Sequence, residues 1–331
     1  MRAWLLDSYD GVGKLRVDEV AEPQPAPGQV VLKTMYAGLN PADAFLALAQ
    51  YPAKPKLPHV LGRDGVGEVV SVGEGVSNVK VGDIVGILRG DTGVEVWGTL
   101  AEKVAVDASH VIPVPHGWSY EEVAGAPLVY LTAWQALTQW SDPPAPPARG
   151  SVLLITGASG GVGSASVLLG KSMGLVVIGL SRSAEKGKEL KKLGADHVFD
   201  PTEKDVRKQV LAAIAPKRVD IVVDNVGGPL FNEIVGMLGY AGRISVVGRS
   251  GGTVPEFNTA SLFFRRNRVG GVTVADYSAE EAQANWKEIV ARLDALKKRP
   301  VVDRVFPFLD IKEAFARLAK GPMGKVLVKV S

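Results

Sequence analysis

Between residues 151 and 247, short apolar runs alternate with amphipathic stretches in unbroken order, and no other feature constrains the fold as much. Strand-like runs at 152–156, 176–180, 197–199, 220–225 and 243–247 are separated by helix-like stretches running to 171 and near 184–193, 202–214 and 229–238. Parallel strands need long crossovers, which helices supply, so the pattern predicts a doubly wound parallel sheet with helices on both faces. Residues 1 to about 125 read differently. Runs at 30–34, 66–72, 84–88 and 101–106 carry β-branched and apolar residues between Gly- and Pro-rich turns, and predict a β-rich barrel or sandwich. The Pro-rich stretch 142–147 reads as a surface loop. Beyond the alternating region come an amphipathic helix over 276–298, a strand near 304–306, a short helix over 311–318 and a last strand over 325–330. A terminal strand of this kind is expected to return to the first sheet, making the alternating domain an insertion in the β-rich one.

The chain of 331 residues has room for two such domains. Its 46% hydrophobic and 22% charged residues fit neither a disordered nor a membrane-embedded protein. Cysteine is absent, which excludes disulfides, thiolate zinc sites, iron–sulfur clusters and a cysteine nucleophile. With no secretory leader and no run of about 18 apolar residues, a cytoplasmic location without a membrane partner is expected. The net charge of +3 gives no call for nucleic acid, and the basic clusters Arg265, Arg266, Arg268 and Lys297, Lys298, Arg299 read as solvated faces.

The apolar run 152–156 leads into Gly157, Ala158, Ser159, Gly160, Gly161, Val162 and Gly163, where a helix opens. Glycine lets backbone approach a pyrophosphate, and the free N–H groups of a helix N-terminus favour the anion, so residues 158–163 are expected to bind a dinucleotide. The fingerprint is imperfect, with Ala158 at its first position; the strand before, the helix after and the further strand–helix units carry the reading. An NAD site places a carboxylate at the end of the second strand, where this chain has Ser181, Arg182 and Ser183, with Lys186 one helical turn on. Hydroxyls and cations there suit a 2′-phosphate, so NADPH is expected over NADH.

Several further motifs resemble the medium-chain dehydrogenase/reductase superfamily, in its zinc-free quinone oxidoreductase-like branch. They are the segments 37–43, 58–69, 72–76, 81–83, 131–134, 158–163, 224–228 and 324–326, in the family's order over nearly the whole chain. The resemblance implies a GroES-like catalytic domain at 1–125 and 268–331, a Rossmann domain at 126–267, a cleft between them and a homodimer. Zinc-binding relatives carry metal ligands where this chain has Asn40, Arg63 and a residue near Leu128, none of which serves zinc. The four histidines show no ligand spacing and read as structural, so no metal site is expected.

Without a metal, the resemblance implies hydride transfer from NADPH to a quinone or α,β-unsaturated carbonyl. Asn40 and Asp43 resemble the family's cleft residues, with an amide to hold nicotinamide or substrate and a carboxylate to orient it; a turn or helix cap is an equal reading of Asp43. Tyr51 falls where related enoyl-thioester reductases carry a catalytic tyrosine, and packing at the cleft mouth is the competing reading. Arg63 and Asp64 are expected to pair with one another or with neighbours. Thr132 is implied at the nicotinamide, Asn225, Val226 and Gly227 at the adenosine half, and Gly248 near the nicotinamide. Phe264 and Arg265 are implied flanking the cofactor, with Lys325 approaching its phosphates. Two other functions stay open: a trans-2-enoyl thioester reductase, and a weakly catalytic NADPH- or RNA-binding protein of the same fold.

Overall fold

A computed structural model describes residues 1–253 and 256–331. Among the described residues the strands form three sheets, and the chain divides into two compact units. The first comprises Met1–Leu128, Ala275–Trp286 and Arg299–Ser331. Here β1 (Arg2–Leu5) and β2 (Arg16–Glu19) make an antiparallel pair. The main sheet is built on β3 (Gln29–Gly38), which pairs antiparallel with both β4 (Asp64–Val72) and β6 (Lys103–Asp107). Beyond β4 lie β5 (Ile84–Ile87) and β7 (Val111–Pro113). Gly67 lets β4 close on β3, since a Cβ there would stand 2.5 Å from the Lys33 carbonyl oxygen.

Three helices follow patterns that strand periodicity does not reveal. Asn40 and Pro41 start α1 (Pro41–Ala47), and Ser119 with Glu122 forms the capping box of α2 (Tyr120–Gly125). The apolar α3 (Pro127–Thr138) comes next.

The second unit, Val129–Val274 with Lys287–Lys298, holds a parallel sheet in the order β10-β9-β8-β11-β12-β13. Its strands are β8 (Val152–Ile155), β9 (Val176–Leu180), β10 (His197–Phe199), β11 (Val219–Asp224), β12 (Leu238–Val246) and β13 (Arg268–Gly271). The first five are joined by α4 (Gly161–Ser172), α5 (Ala184–Leu193), α6 (Val206–Ile214) and α7 (Leu230–Met237), with α8 (Ala260–Phe263) before β13. The sheet order reverses at β8, whose neighbours are β9 and β11, and that is the doubly wound arrangement expected from the alternation. Strand β8 runs buried on both faces, which explains its continuous apolar sequence.

Against the sequence boundary at 267/268, residues 268–274 stay with the parallel sheet, because β13 completes its edge beside β12. The helix expected over 276–298 is shorter, α9 (Ala279–Ala295). Ser278 and Glu281 exchange capping bonds at its start, and Lys297 adopts φ 52° just past its end.

The chain then re-enters the first unit through β14 (Val302–Pro307), α10 (Ile311–Ala319) and β15 (Lys325–Lys329). Strand β15 lies between β14, parallel to it, and β3, antiparallel, so the last strand joins the first sheet as expected. Val326 and Val328 enter the core formed by Trp4, Leu39, Leu61 and Phe315. No helix among the described residues is long and apolar enough to cross a membrane. Leu327 is fully buried on this inserted strand, so Leu327→Ala is expected to cost about 2–5 kcal/mol in urea unfolding; an unchanged midpoint would show that β15 is not part of the core.

Candidate functional site

In the second unit, the carboxyl ends of β8, β9, β11 and β12 carry most of the residues expected at the cofactor. After β8 the backbone turns through Gly157 at φ +56°, and α4 opens with Gly160 as an N-cap that makes no side-chain capping bond. The first N–H groups of α4 therefore keep their capacity to bind an anion. Gly163 must be glycine, because a Cβ there would stand 2.3 Å from the Gly157 carbonyl oxygen. Around Gly160 a Cβ would meet nothing closer than 3.5 Å, which leaves a bare backbone cradle. Ala158, Ser159, Gly160, Gly161, Val162 and Gly163 thus form one turn that fits a pyrophosphate.

At the end of β9, Arg182 is exposed, while Ser183 caps α5 by accepting the Lys186 backbone N–H at 3.3 Å. Ser181 Oγ accepts the Ser183 N–H at 3.4 Å, a turn that leaves no carboxylate between Leu180 and Ala184. After β11, Asn225, Val226 and Gly227 turn beside the glycine loop, and Gly248 packs against Asn225 so tightly that a Cβ would stand 2.8 Å from its carbonyl oxygen. A pair that sequence reading missed ties these turns together. Buried Asp224 Oδ1 accepts the Thr156 hydroxyl at 2.6 Å and the N–H groups of Val226 and Gly227 at 3.1 Å. Thr156 in turn receives the Asn225 N–H on its hydroxyl and the Asn225 amide on its carbonyl. Thr132 lies half-buried on α3.

Two expected residues are not at this edge. Arg265 donates to the Leu238 carbonyl at 2.8 Å, at the amino end of β12, and Phe264 is 78% exposed with its ring against Phe263. The chain between β12 and β13 must travel back to the opposite end of a parallel sheet, which carries residues 264 and 265 away from the phosphate turn.

The first unit gathers Asn40, Asp43, Asp64 and Lys325. Lys325 Nζ donates to Asn40 Oδ1 at 2.7 Å and to Asp64 Oδ2 at 2.8 Å, and neither ion-pair partner is more than 5% exposed. The Asn40 amide group donates to Asp64 Oδ2 at 2.9 Å and to the Gly38 carbonyl at 3.4 Å. The amide expected to hold nicotinamide or substrate is therefore engaged inside the fold. Lys325, expected at the cofactor phosphates, is instead the buried cation of this cluster, because β15 inserts beside β3 and carries it inward.

Asp43 accepts the Asn40 backbone N–H at 2.8 Å and so serves as the helix cap of α1. Burial pushes its carboxyl up to about 6, opposed by the Asn40 N–H and by the charges of Arg63 and Lys325, with Asp64 adding to the rise. Arg63 and Asp64 do not pair with each other. Asp64 is the first residue of β4 and Arg63 lies in the bend before it; Asp64 is buried against Lys325, and half-buried Arg63 donates to the Tyr51 hydroxyl at 2.9 Å. Gly62, at φ +103° and crowded by Thr99, fixes the approach to this pair.

Zinc needs four sulfur, nitrogen or carboxylate donors, and the three candidate positions do not fit it. Asn40 Oδ1 is taken by an ammonium, Arg63 is a cation, and Leu128 offers only an aliphatic side chain while its N–H donates to Asp64 Oδ1 at 3.3 Å. Among the described residues no group of three or more His, Cys, Asp or Glu is placed to hold a metal.

Residues 26–116 match the alcohol dehydrogenase GroES-like domain family, and residues 161–295 match the zinc-binding dehydrogenase family. Human quinone oxidoreductase is 29% identical over 332 residues, covering 99% of this chain and 97% of its own. A solved NAD-dependent alcohol dehydrogenase is similar at a TM-score of 0.91 and 30% identity, with 100% of each chain covered. A mycobacterial protein solved in complex with NADPH gives a TM-score of 0.89 at 27% identity, again over 100% of each chain.

Asp43 binds its proton more tightly folded than unfolded, so its contribution to stability falls as pH rises from 3.8 to about 6, by about 3 kcal/mol at most. Asp43→Asn keeps an acceptor for the Asn40 N–H and removes that titration. Unfolding midpoints measured from pH 4 to 8 should therefore move in favour of the variant relative to the unsubstituted chain as pH rises; a constant difference would refute the raised carboxyl.

Proposed function

The chain belongs to the medium-chain dehydrogenase/reductase superfamily, in its alcohol- and quinone-oxidoreductase-like branch, and from that premise we propose that it reduces a quinone or α,β-unsaturated carbonyl with NADPH, independently of zinc. The observation that carries the reading is the bare phosphate turn at residues 158–163, combined with an end of β9 that holds hydroxyls and a cation in place of a carboxylate. The mycobacterial relative is complexed with NADPH and the human relative is a quinone oxidoreductase, which supports both halves of the proposal.

Bound NADPH supplies a hydride. The N–H groups opening α4 hold its pyrophosphate, and Ser181, Arg182 and Lys186 take the 2′-phosphate. Asn225, Val226, Gly227 and Gly248 shape the remaining edge through backbone, held in place by Thr156 and Asp224. Hydride addition to a conjugated acceptor leaves negative charge on oxygen, which needs a hydrogen-bond or proton donor. Tyr51 fills that role, because its hydroxyl already accepts from Arg63 and its own proton is left for another partner. Asn40, Asp43 and Lys325 act from beneath, fixing the backbone at the start of α1. The proposal extends to a small-molecule acceptor and a cytoplasmic homodimer.

NADPH oxidation measured against quinones, enones, enoyl thioesters and simple alcohols, with and without chelator, checks the reading. Turnover is expected with quinones or enones and unchanged by chelator; turnover with alcohols alone, or loss on chelation, would overturn it. Arg182→Ala is expected to raise KM for NADPH about tenfold and leave KM for NADH unchanged, the loss of one exposed charge-assisted hydrogen bond; an unchanged KM for NADPH would remove Arg182 from the site.

A further inference from the structure

Arg63 carries a charge that the fold leaves uncommitted. Its Nη1 donates to the hydroxyl of Tyr51, a neutral phenol, at 2.9 Å, and the guanidinium carbon lies 5.5 Å from that ring's centroid. Its Nε is buried and has no hydrogen-bond partner. No carboxylate stands within ion-pair distance of it among the described residues; Asp64, next in sequence, belongs to Lys325. The carboxylate that senses the Arg63 charge is Asp43, whose Oδ1 is likewise buried without a partner. A half-buried guanidinium set against a phenol suits charge that develops during reaction.

We infer that Arg63 is the positioning residue for Tyr51: by donating to the phenol oxygen it turns the Tyr51 proton toward the acceptor, and it stabilises the phenolate that forms when that proton leaves. The inference rests on the proposed reduction and deepens it. The acceptors favoured are those whose hydride adduct is a delocalised oxyanion, an enolate or a hydroquinone monoanion. In the step, a hydride forms the new bond to the acceptor and an electron pair moves onto its oxygen. The Tyr51 O–H bond then breaks as that oxygen takes the proton, and the phenolate, paired with Arg63, recovers a proton from water. One hydride and one proton reach the acceptor, and the protein is regenerated without any further reductant.

The phenol can accept a bond from only a few directions, so one strong donor on its oxygen restricts where its own hydrogen points. Arginine does this better than lysine, because a planar guanidinium can hold a fixed geometry on the phenol oxygen while a rotating ammonium cannot. Arg63 lies in the bend between Gly62 and Asp64, and Asp64 is held by Lys325.

The test is a double-mutant cycle on the full chain with NADPH and a quinone, with Arg63→Met, Arg63→Lys, Tyr51→Phe and the double variant. Tyr51→Phe is expected to lower kcat about 100-fold, and Arg63→Met about tenfold or more, with KM for NADPH unchanged in both. In the Tyr51→Phe background, Arg63→Met should cost nothing more, while Arg63→Lys should restore part of the rate in the other. Multiplicative losses, or an Arg63→Met defect seen only as a raised KM for NADPH, would overturn the inference. A second measurement is independent of turnover: absorbance titration with 4-nitrophenol, read as bound nitrophenolate. The unsubstituted chain and Arg63→Lys should bind the phenolate, and Arg63→Met should bind it about tenfold more weakly. Equal binding would overturn the role of the cation. An unsubstituted chain that fails to oxidise NADPH with any acceptor would instead remove the proposed function, and this inference with it.

Discussion

The first unit depends on one buried ammonium. Lys325 enters from the strand nearest the C-terminus, Asp64 from the start of β4, and Asn40 from the turn before α1, so three distant pieces of sequence meet on a single charge. A buried ammonium is costly unless it is paired and hydrogen-bonded, and removing one member of such a set leaves another charge stranded. The two carboxylate oxygens of Asp64 are spoken for by Lys325, Asn40 and the Leu128 N–H. This saturation lets the cluster brace the turn before α1 against β4 and β15. It also sets the electrostatics nearby, since Asp43 feels Lys325 and Asp64 at once.

A comparable brace organises the second unit, with neutral donors in place of an ammonium. Asp224 gathers one hydroxyl and two backbone N–H groups, and Thr156 returns two contacts from Asn225. The phosphate turn is mostly glycine and has little side-chain packing of its own, so its shape must be imposed by neighbours. Thr156 is the residue immediately before that turn, and bonding it to the end of β11 transfers the rigidity of two central strands to the glycine loop. Pre-organisation of this kind lowers the ordering cost of binding an anion.

Much of this was legible in the sequence, for reasons that differ by element. The doubly wound sheet was readable because both its periodicity and its crossover lengths are local properties, and the glycine turn was readable because a missing Cβ leaves a compositional trace. The return of the last strand followed from an apolar run at the end of the chain. What stayed hidden was side-chain partnership at long range. Nothing local distinguishes Lys325 from an exposed lysine at the head of a strand; its partners are 261 and 285 residues away. Phe264 and Arg265 lie away from the glycine turn because a parallel sheet sends the chain back to its amino end before each strand, and residue type does not report which end a loop occupies. Asp43 read equally well as a cap or a cleft carboxylate, and its bond to the Asn40 N–H is the cap.

The start of β4 brings two charged neighbours to different partners. Asp64, the first residue of β4, binds the buried ammonium while Arg63, in the bend before it, donates to the phenol, so adjacent residues of opposite charge do not neutralise each other. Had they paired, Lys325 would lie buried without its carboxylate and Tyr51 would lose the donor that orients it. Two organic cations thus stand at the positions weighed for zinc, Lys325 bonded to Asn40 and Arg63 beside the Tyr51 hydroxyl. A metal ion would have to displace the first and be repelled by the second. The proposed chemistry therefore relies on directed hydrogen bonds, with the guanidinium beside Tyr51 as a positive charge whose Nε has no partner of its own.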